Sequence, residues 1–597
     1  MPKGKMEIGK AGRRCETLYF GMGQSGVEVP AHLQPFVVEQ DYGRYTVVDQ
    51  AVWRFVLLQL QSRLRDTAHP AYRGGLAAAG ISVDRIPRID DVNEALSRIG
   101  WAAVCVDGFI PPRAFQEFQA ASILPIAAEI RSFEHLAYTP APDVIHEAAG
   151  HAPILSDPAF SAYLRRMGEI GRCAFTFPEE HRVYQAIHDL SELKEDPAAS
   201  KDEVARGEAA LDAALAAAPG PSEATLLSRL YWWTAEYGLV GTIDDYKLYG
   251  AGLLSSLGES HSCRGADVRK VPLDERCVDM AYDITRPQPV LFVVRHFEQL
   301  HDVLDRVERT LAWSVGGAVA LNRAVASREL SSVQFACGAW AVGQLREVGA
   351  QGFEPAWLDF EGAAVITWDG DAKEQGPAPL AVSELCVLTG RLSDGASWHQ
   401  ASVQGLEPWI VPATGRHCFR FATGACLEGR LDRMARQTDG RLLYADMSDV
   451  RITLPSGVVR NVAHHVLLPA GDVRTARAGS IDPRCSGGAR RAVRSPKPRL
   501  LPARSRELLG CYESALHAHA AGGPIMREAF ADIHRVLRRD FPDEWLLRWN
   551  LLESLMKAGD AGVLASLLRE ELEELEVRFG HREPIASGLR YLMDRAA

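Results

Sequence analysis

Residues 139–151 read TPAPDVIHEAAGH and place two histidines and a glutamate on one short helical segment. The zinc-protease pattern H-E-x-x-H spaces its histidines at i and i+4, about 40° apart around a regular α-helix. Here His146 and His151 stand at i and i+5, about 140° apart on the same geometry. A local widening of the helix, such as a π-bulge, would return both rings to one face, and Gly150 would make the backbone permissive. The segment therefore predicts a metal site and argues against a zinc protease.

A third metal ligand is predicted at Glu236, within the apolar segment LLSRLYWWTAEYGLV (residues 226–240). An ionised carboxylate buried in such a helix is costly unless a cation or strong hydrogen-bond donors accompany it. A salt bridge to an arginine is the alternative to a metal. Two histidines and one carboxylate form the facial triad of non-haem Fe(II) oxygenases, which leaves three adjacent coordination positions open.

Several segments of the chain resemble the hallmark segments of the pterin-dependent aromatic amino acid hydroxylases. The most specific are TPAPDVIHEAAGHAPILSDPAF (139–160), YWWTAEYGLV (231–240) and YGAGLLSSLGE (249–259). The resemblance runs from about Tyr45 to about Phe297. It implies a mostly helical catalytic basket that uses Fe(2+) and tetrahydrobiopterin, or a related tetrahydropterin, to hydroxylate an aromatic amino acid with dioxygen.

The resemblance also implies roles for individual residues on the substrate side. Iron ligation would fall to His146, His151 and Glu236. Arg131, seven residues before Tyr138, would hold the substrate carboxylate, because a guanidinium offers paired N–H groups. The other implied substrate-binding residues are Thr139 and Ser255, which would hydrogen-bond backbone groups of the substrate, Trp232, which would pack against its ring, and Ile284. From the residues alone, Arg131 would be a surface charge, Thr139 a turn residue, Ser255 a helix cap and Trp232 a core residue.

The pterin side of the implied site lies in a different stretch, VDGFIPPRAFQEF (residues 106–118). Gly108 and Ile110 align with the loop that lines the pterin, and Phe115 with the ring that stacks on it. Glu147 matches the glutamate that contacts the pterin near the iron. A simple helix-face role is the alternative for Glu147.

Ile284 bears on the choice of substrate. It aligns with a position that is apolar in the phenylalanine and tryptophan hydroxylases and acidic in tyrosine hydroxylase. We therefore expect hydroxylation of L-phenylalanine to L-tyrosine, with tryptophan hydroxylation as the alternative. Two alternatives come from other classes of protein: a zinc hydrolase that uses His146, Glu147 and His151, and an inactive scaffold whose function lies in residues 335–597.

Periodicity divides the chain into five parts. A flexible N-terminus is expected at 1–30, and a mostly α catalytic domain at 31–334, with helices over 47–64, 114–131 and 223–240 among others. Alternating apolar and polar residues between glycine-bearing turns predict a β-rich domain at 335–475. A linker at 476–500 and a small α-helical C-terminal domain at 501–597 follow.

Two departures from the family pattern stand out. An insert between Cys173 and Ala224 places Glu236 ninety residues after His146. Its charged, alanine-rich part, Lys194 to Ala218, is predicted to be a solvated surface hairpin. The β-rich and helical C-terminal regions have no counterpart in the family's catalytic core, and an interaction or substrate-gating module is the expectation for them.

Composition limits the partners and the location. Lys plus Arg number 66 and Asp plus Glu number 77, so the formal charge is −11. That balance predicts no nucleic-acid partner and no anionic membrane surface as partner. The eleven cysteines form no C-x-x-C pair, and no secretory or membrane-spanning segment is evident, so a cytoplasmic protein is expected. The sequence leaves the oligomeric state open.

Overall fold

The computed structural model describes most of the chain. The described residues are 20–22, 27–108, 110–136, 142–195, 199–218, 220–284, 287–351, 354–368, 380–382, 385–395, 410–411, 416–436, 442–467, 473–481, 506–578 and 582–596. Most of the expected flexible N-terminus and of the expected linker lies outside these residues. Among the helices of the described part, none is long and apolar enough to cross a membrane.

Helices dominate the first 330 residues. The N-terminal group comprises α1 (Val47–Arg63), α2 (Pro70–Ala78), α3 (Ile89–Ser97) and α4 (Pro112–Ala120). The next group comprises α5 (Ala152–Ile154), α6 (Pro158–Gly171), α7 (Pro178–Glu195), α8 (Lys201–Ala217), α9 (Glu223–Tyr231), α10 (Ala251–Ser255) and α11 (Glu259–Ser262). The last group comprises α12 (Glu298–Glu308), α13 (Ala312–Val315) and α14 (Gly317–Ser327). Helix α1 begins at a capping box, in which Thr46 and Asp49 satisfy each other's backbone N–H groups.

Two small sheets and a hairpin accompany these helices. Strands β1 (Phe20–Met22) and β2 (Glu28–Pro30) pair antiparallel, and β3 (Ala102–Val106) and β4 (Ile123–Ala127) pair in parallel. A four-stranded sheet has the order β6-β5-β8-β7. Its strands are β5 (Leu239–Gly241), β6 (Tyr246–Leu248), β7 (Arg269–Pro272) and β8 (Val290–Val294).

The expectation of one helix over 114–131 is wrong in its second half. Helix α4 ends at Ala120, Ser122 adopts a left-handed backbone with φ of 57°, and β4 begins at Ile123. All five residues of β4 are buried and pair in parallel with β3. A strand buried on both faces is a continuous apolar run rather than an alternating one, so periodicity cannot separate it from a buried helix.

The insert forms a helical hairpin, but not within the predicted bounds: Lys194–Ala218 holds little more than α8, and the hairpin begins with α7 at Pro178. Helices α7 and α8 pack against each other, and a second capping box, between Ser200 and Glu203, begins α8. The described side chains of α8 are all at least partly exposed. The hairpin therefore lengthens the chain before Glu236 without entering the core.

In the described part of residues 330–478, the chain forms eleven strands. One antiparallel sheet has the order β12-β11-β10-β9-β19, with β13 paired to β11. It contains β9 (Leu330–Phe335), β10 (Ala339–Gln351), β11 (Glu354–Trp368), β12 (Leu380–Val382), β13 (Cys386–Leu388) and β19 (Val473–Ala478). The other, ordered β14-β15-β16-β17-β18, contains β14 (Ile410–Val411), β15 (Arg416–Arg420), β16 (Cys426–Arg436), β17 (Leu442–Thr453) and β18 (Val459–Leu467). Helix α14 packs on the first sheet and joins it to the helical region.

The C-terminal residues form five helices: α15 (Arg506–Ala521), α16 (Gly523–Asp540), α17 (Leu546–Lys557), α18 (Val563–Arg578) and α19 (Arg582–Ala596). Helices α15, α17 and α19 pack against α1. One hydrophobic core therefore contains residues from the helical first part and from these C-terminal helices.

Candidate metal centre

A π-helix at Ile145–His151 carries the two predicted histidine ligands. Its wider turn brings the imidazole rings of His146 and His151 within 5.0 Å of each other, so the predicted widening of the helix is confirmed. The reason for Gly150 differs from the one expected. A Cβ at this position would lie 2.7 Å from the backbone oxygen of Ala251, so glycine is needed for close packing against α10.

Glu236 ends a second π-helix, Trp232–Glu236, which continues α9. The predicted helix over 223–240 therefore stops at this residue, and β5 follows. The side chain is buried, as expected, with Oε2 3.2 Å from Nε2 of His146 and Oε1 3.0 Å from Nε2 of His151. One ligand atom from each of the three residues lies within 4.8 Å of the others, which is a suitable arrangement for a metal ion.

The three side chains are strongly coupled. Burial alone would raise the pKa of Glu236, but the two histidines outweigh it and hold that pKa well below its usual range. Burial lowers the pKa of His146, yet the adjacent Glu236 carboxylate raises it to about 9. The site therefore stabilises a negative carboxylate together with a compensating positive charge, which a bound cation supplies as well as a proton does.

Ser255 determines which nitrogen of His146 is available. Its hydroxyl donates to the backbone oxygen of Ala251 at 2.7 Å and lies 3.1 Å from Nδ1 of His146. Because the hydroxyl proton is used on Ala251, the oxygen accepts the N–H of Nδ1. Nε2 of His146 is then the nitrogen that faces Glu236, and a metal bound there would displace its proton and take its lone pair.

Two buried side chains at the centre have atoms without a hydrogen-bond partner. In His151, Nδ1 and Nε2 are both unsatisfied, since the geometry toward Glu236 is not that of a hydrogen bond. In Glu147, Oε2 is unsatisfied and lies 3.9 Å from Nε2 of His151, and burial raises the pKa of this carboxyl. The cluster of two imidazoles and one carboxylate thus contains or adjoins buried nitrogen and oxygen atoms that are unsatisfied. This arrangement fits a metal such as Fe(II).

Arg131 lies beside the centre in a buried ion pair. Its Nε and Nη2 donate to the two carboxylate oxygens of Asp143 at 2.8 Å each, and Nη1 lies 3.4 Å from the backbone oxygen of Ser255. Asp143 also accepts the backbone N–H of His146 at 3.0 Å. Burial would raise the pKa of Asp143, but the guanidinium outweighs it and lowers that pKa. Asp143 thus joins Arg131 to the π-helix that bears the histidines.

A cluster of aromatic side chains lies near Glu236. The ring of Trp232 stacks on that of Tyr282 with centroids 4.2 Å apart and planes 8° apart, and it also contacts Tyr237 at 4.7 Å. Burial, followed by the charge of Glu236, raises the pKa of Tyr282 to about 12. Ile284 is half-buried in the turn that follows Tyr282.

Of the predicted pterin-side residues, Phe115 and Glu147 lie beside His151. Gly108 has a φ of 61°, in the left-handed region that favours glycine, and Ile110 is half-buried. The ring of Phe115 lies 5.6 Å from that of Tyr231 and 6.4 Å from that of His151. Phe115, in α4, therefore lies next to the metal centre.

One predicted site residue is not described, and three residues have contacts that the sequence did not indicate. Thr139 lies outside the described residues. Asp143 and Tyr282 were not singled out from the sequence, although Asp143 stands within the quoted segment 139–151. Ser255 contacts His146, a role that the sequence analysis did not assign to it.

Comparisons with known proteins identify the family of the chain. The model of the family described as biopterin-dependent aromatic amino acid hydroxylase matches residues 41–180 and 211–316, on either side of the exposed hairpin. A phenylalanine-4-hydroxylase of Mesorhizobium japonicum is 31% identical over 278 residues, which cover 46% of this chain and 84% of the relative. One of Ralstonia nicotianae is 30% identical over 270 residues, covering 45% and 72%.

Solved structures of the same family are also similar. The iron- and phenylalanine-bound phenylalanine hydroxylase of Chromobacterium violaceum is 28% identical, with a TM-score of 0.35, over 46% of this chain and 86% of that one. The two sequence relatives are the basis for assigning the family, because this chain covers most of their length. The chain belongs to the biopterin-dependent aromatic amino acid hydroxylase family.

Proposed function

We propose that this protein is a non-haem iron, tetrahydropterin-dependent monooxygenase that hydroxylates L-phenylalanine to L-tyrosine. The observation that carries the proposal is the convergence of His146, His151 and Glu236, whose ligand atoms lie within 4.8 Å of one another. The M. japonicum and R. nicotianae relatives, both phenylalanine-4-hydroxylases, support this choice of substrate.

The protein's contribution to the metal is a preorganised set of ligands. His146, His151 and Glu236 would hold Fe(II) on one side and leave the opposite positions open. Iron and tetrahydropterin, when bound, supply the activation of dioxygen, one atom of which enters the aromatic ring. Ser255 would orient His146 so that Nε2 faces the metal, and Asp143 fixes the start of the helix that bears both histidines.

Arg131 is the proposed anchor for the carboxylate of the amino acid. Its contacts with Asp143 and with Ser255 use three of its five N–H groups. The other two remain for a substrate carboxylate, and the buried Asp143 stiffens the guanidinium so that little side-chain entropy is lost on binding. Trp232 would pack against the substrate ring, and Thr139 and Ser255 would contact its backbone groups.

Gly108, Ile110, Phe115 and Glu147 are the proposed pterin-binding residues. A glycine with positive φ lets the loop backbone approach a flat ligand, and the ring of Phe115 offers a stacking surface. The unsatisfied Oε2 of Glu147 is available for a hydrogen bond to the pterin. Because Glu147 also lies beside His151, pterin and metal would be held next to each other, with water excluded by the buried surroundings.

The test is anaerobic reconstitution with Fe(II), followed by turnover with phenylalanine and a tetrahydropterin. Wild type is compared with Glu236→Ala, and with Glu169→Ala as a matched control, since Glu169 is an exposed glutamate of α6. We expect para-tyrosine from wild type and from the control, with a loss of at least about a hundredfold for Glu236→Ala. Retention of zinc with no product from any aromatic amino acid would instead support the hydrolase alternative.

Substrate choice is tested by comparing phenylalanine, tryptophan and tyrosine at saturating tetrahydropterin. The half-buried, apolar Ile284 supports an uncharged ring pocket, so phenylalanine should be turned over fastest, with tryptophan second. Chromatography that separates para- from meta-tyrosine fixes the position of the new hydroxyl group. Dominant turnover of tyrosine would refute this assignment.

We further propose a catalytic domain, a β-rich domain and a helical domain at 501–597, joined by a linker. The expected bounds of the β-rich domain, 335–475, are too narrow, because β9 begins at Leu330 and β19 ends at Ala478. The catalytic domain, expected at 31–334, therefore ends before Leu330, and the linker, expected at 476–500, begins after Ala478. The core around the second sheet contains residues of the β-rich region alone, which supports a separate unit there. The core of the first sheet also includes Phe175 and Leu321 of the helical part, so this sheet packs on the catalytic domain. A cytoplasmic location is proposed on the scattered cysteines, which form no C-x-x-C pair.

A further inference from the structure

The segment that bears Arg131 continues directly into a contact with the C-terminal helices. Arg131 is followed by a short 3-10 helix, Phe133–His135. The ring of Phe133 lies 5.2 Å from that of Trp545, which immediately precedes α17. Only one residue therefore separates the proposed carboxylate anchor from an aromatic contact with the far end of the chain.

The segment that bears Ser255 makes a second contact, through α1. Arg63, the last residue of α1, donates from Nη1 to the backbone oxygen of Leu257 at 2.8 Å. Its Nη2 donates to the hydroxyl of Ser587 in α19, and that hydroxyl donates to Gln59 of α1. Both segments that position groups at the metal centre are thus tied, within two residues, to the C-terminal helices.

The interface that holds these contacts is closely packed. The ring of Phe55 in α1 lies 5.1 Å from Trp545 and 4.7 Å from Trp549, and all three side chains are buried. A Cβ at Gly588 of α19 would lie 2.6 Å from Nε1 of Trp549 and 2.9 Å from Phe55, so only glycine fits. A surface packed this tightly transmits a displacement rather than absorbing it.

Charge complements this packing. Arg54 of α1 donates from Nη1 and Nη2 to the two carboxylate oxygens of Glu553 at 2.9 and 3.1 Å. Only 4% of the Glu553 side chain is exposed. A buried, bidentate ion pair fixes the direction of α17 relative to α1. It therefore also fixes the position at which Trp545 contacts Phe133.

We propose that Trp545 is a positioning residue for the amino acid substrate: through Phe133, the C-terminal helices hold the segment of Arg131 in place to receive the substrate carboxylate. This inference rests on the proposed function, in which Arg131 is the carboxylate anchor. The pterin-side ring of Phe115 packs instead on Tyr231 and His151. The C-terminal helices therefore affect binding of the amino acid more than binding of the pterin.

The experiment uses the intact chain, four single variants and the double variant Trp545→Leu/Phe133→Leu. Trp545→Leu removes the aromatic contact, Trp545→Phe retains a ring, and Phe133→Leu removes the same contact from the other side without changing the helical core. Phe530→Leu is the matched control, because Phe530 is buried in α16, which packs on α15 and α17. Steady-state kinetics give kcat and the KM of each substrate, and hydrogen–deuterium exchange reports on residues 131–136 and 251–257 without substrate.

We expect Trp545→Leu and Phe133→Leu each to raise the KM for phenylalanine about five- to tenfold, with the KM for tetrahydropterin within twofold of wild type. The double variant should be no worse than either single one, and Trp545→Phe should restore most of the affinity. Exchange at 131–136 should quicken in both leucine variants but not in Phe530→Leu.

Two results would overturn the inference. One is unchanged exchange at 131–136 in Trp545→Leu and Phe133→Leu, which needs no turnover to be observed. The other is a rise of both KM values in Phe530→Leu as large as that in Trp545→Leu. Trp545 would then be only a general stabiliser of the helical domain. Failure of the wild type to hydroxylate phenylalanine would refute the proposed function instead, and the exchange measurement would still decide whether Trp545 controls the Arg131 segment.

Discussion

At the scale of single residues, Ser255 has the clearest consequence for the metal. Its hydroxyl oxygen is the acceptor for Nδ1 of His146. Ser255→Ala removes that acceptor and lets the imidazole rotate or take the other tautomer. Removing such a support of a metal ligand typically weakens metal binding by about 10- to 100-fold. Competition with a chelator of known iron affinity measures the change.

Ser260→Ala is the matched control for this prediction. The hydroxyl of Ser260 donates to the backbone oxygen of Leu257, in the neighbouring turn. This control should bind iron as wild type does. Equal iron affinity of Ser255→Ala and wild type would show that the serine does not orient His146.

Glu259 predicts a pH dependence of stability. It is buried, accepts the phenolic O–H of Tyr237 at 2.5 Å, and burial raises its pKa from 4.5 to about 7. The folded protein therefore holds a proton that the unfolded chain releases between these values, so the free energy of unfolding falls as the pH rises through that window. The loss is on the order of 3 kcal/mol.

Glu259→Gln should abolish this contribution, because the amide retains an acceptor for Tyr237 and does not titrate. Urea unfolding at pH 5 and at pH 8 measures the difference between variant and wild type. We expect the variant to gain stability relative to wild type at pH 8. A difference that is the same at both pH values would contradict the raised pKa.

Some residues of the site can be predicted from the sequence and others cannot. His146, His151 and Glu236 stand out because ionisable groups in apolar helices need partners. Asp143 and Tyr282 do not stand out, since their importance comes from contacts with Arg131 and Trp232 that only the fold creates. The resemblance to the family supplied Arg131 and Trp232, which composition and spacing alone would have left as ordinary residues.

At the scale of elements, the π-helix Ile145–His151 depends on close packing against α10. Gly150→Ala would place a Cβ 2.7 Å from the backbone oxygen of Ala251 and 3.1 Å from its Cβ. One element must then move, which typically costs about 1–3 kcal/mol. We expect a lower melting temperature and weaker iron binding, because the displaced helix carries both histidines.

Gly74→Ala provides the matched control, since nothing lies within 4 Å of a Cβ at Gly74 in α2. Alanine there should leave stability unchanged or raise it, because glycine is a poor helix former. Differential scanning calorimetry compares the two variants. If Gly150→Ala has the same melting temperature and the same iron affinity as Gly74→Ala, close packing does not explain the glycine at position 150.

Among buried elements, periodicity predicts a long helix well and a short strand poorly, because only length separates the two. Helix α1 was expected over 47–64 and forms at Val47–Arg63, with polar residues at its ends. Strand β4 was taken for helix because it is buried on both sides. The widening between His146 and His151 was predictable for a chemical reason: two ligands of one metal must share a face.

At the scale of the whole molecule, the packing of the C-terminal helices on α1 could not be predicted from the sequence. The amphipathic pattern predicts that each helix has a buried face, but not which surface covers it. Arg54 and Glu553 are 499 positions apart, and neither residue type nor local spacing indicates that they meet. Contacts of this kind make the helical first part and the C-terminal helices one connected core.

The Arg54–Glu553 pair predicts an asymmetric response to mutation. Arg54→Met would leave the Glu553 carboxylate buried without its partner, at a cost of about 3 kcal/mol in the free energy of unfolding. Glu553→Gln should cost less, because Arg54 is partly exposed and also lies 3.7 Å from Asp84. The double variant should be more stable than Arg54→Met alone, since it removes the stranded charge.

Urea unfolding followed by tryptophan fluorescence measures these changes, because Trp545 and Trp549 lie at the same interface. Arg98→Met, which breaks an exposed pair with Glu94, is the control and should change stability little. If the C-terminal helices belong to the core of the hydroxylase, wild type unfolds in one transition that includes this interface, and Arg54→Met lowers its midpoint. An early transition confined to tryptophan fluorescence, with iron binding intact, would show instead that the helices dissociate from α1 without disturbing the metal centre.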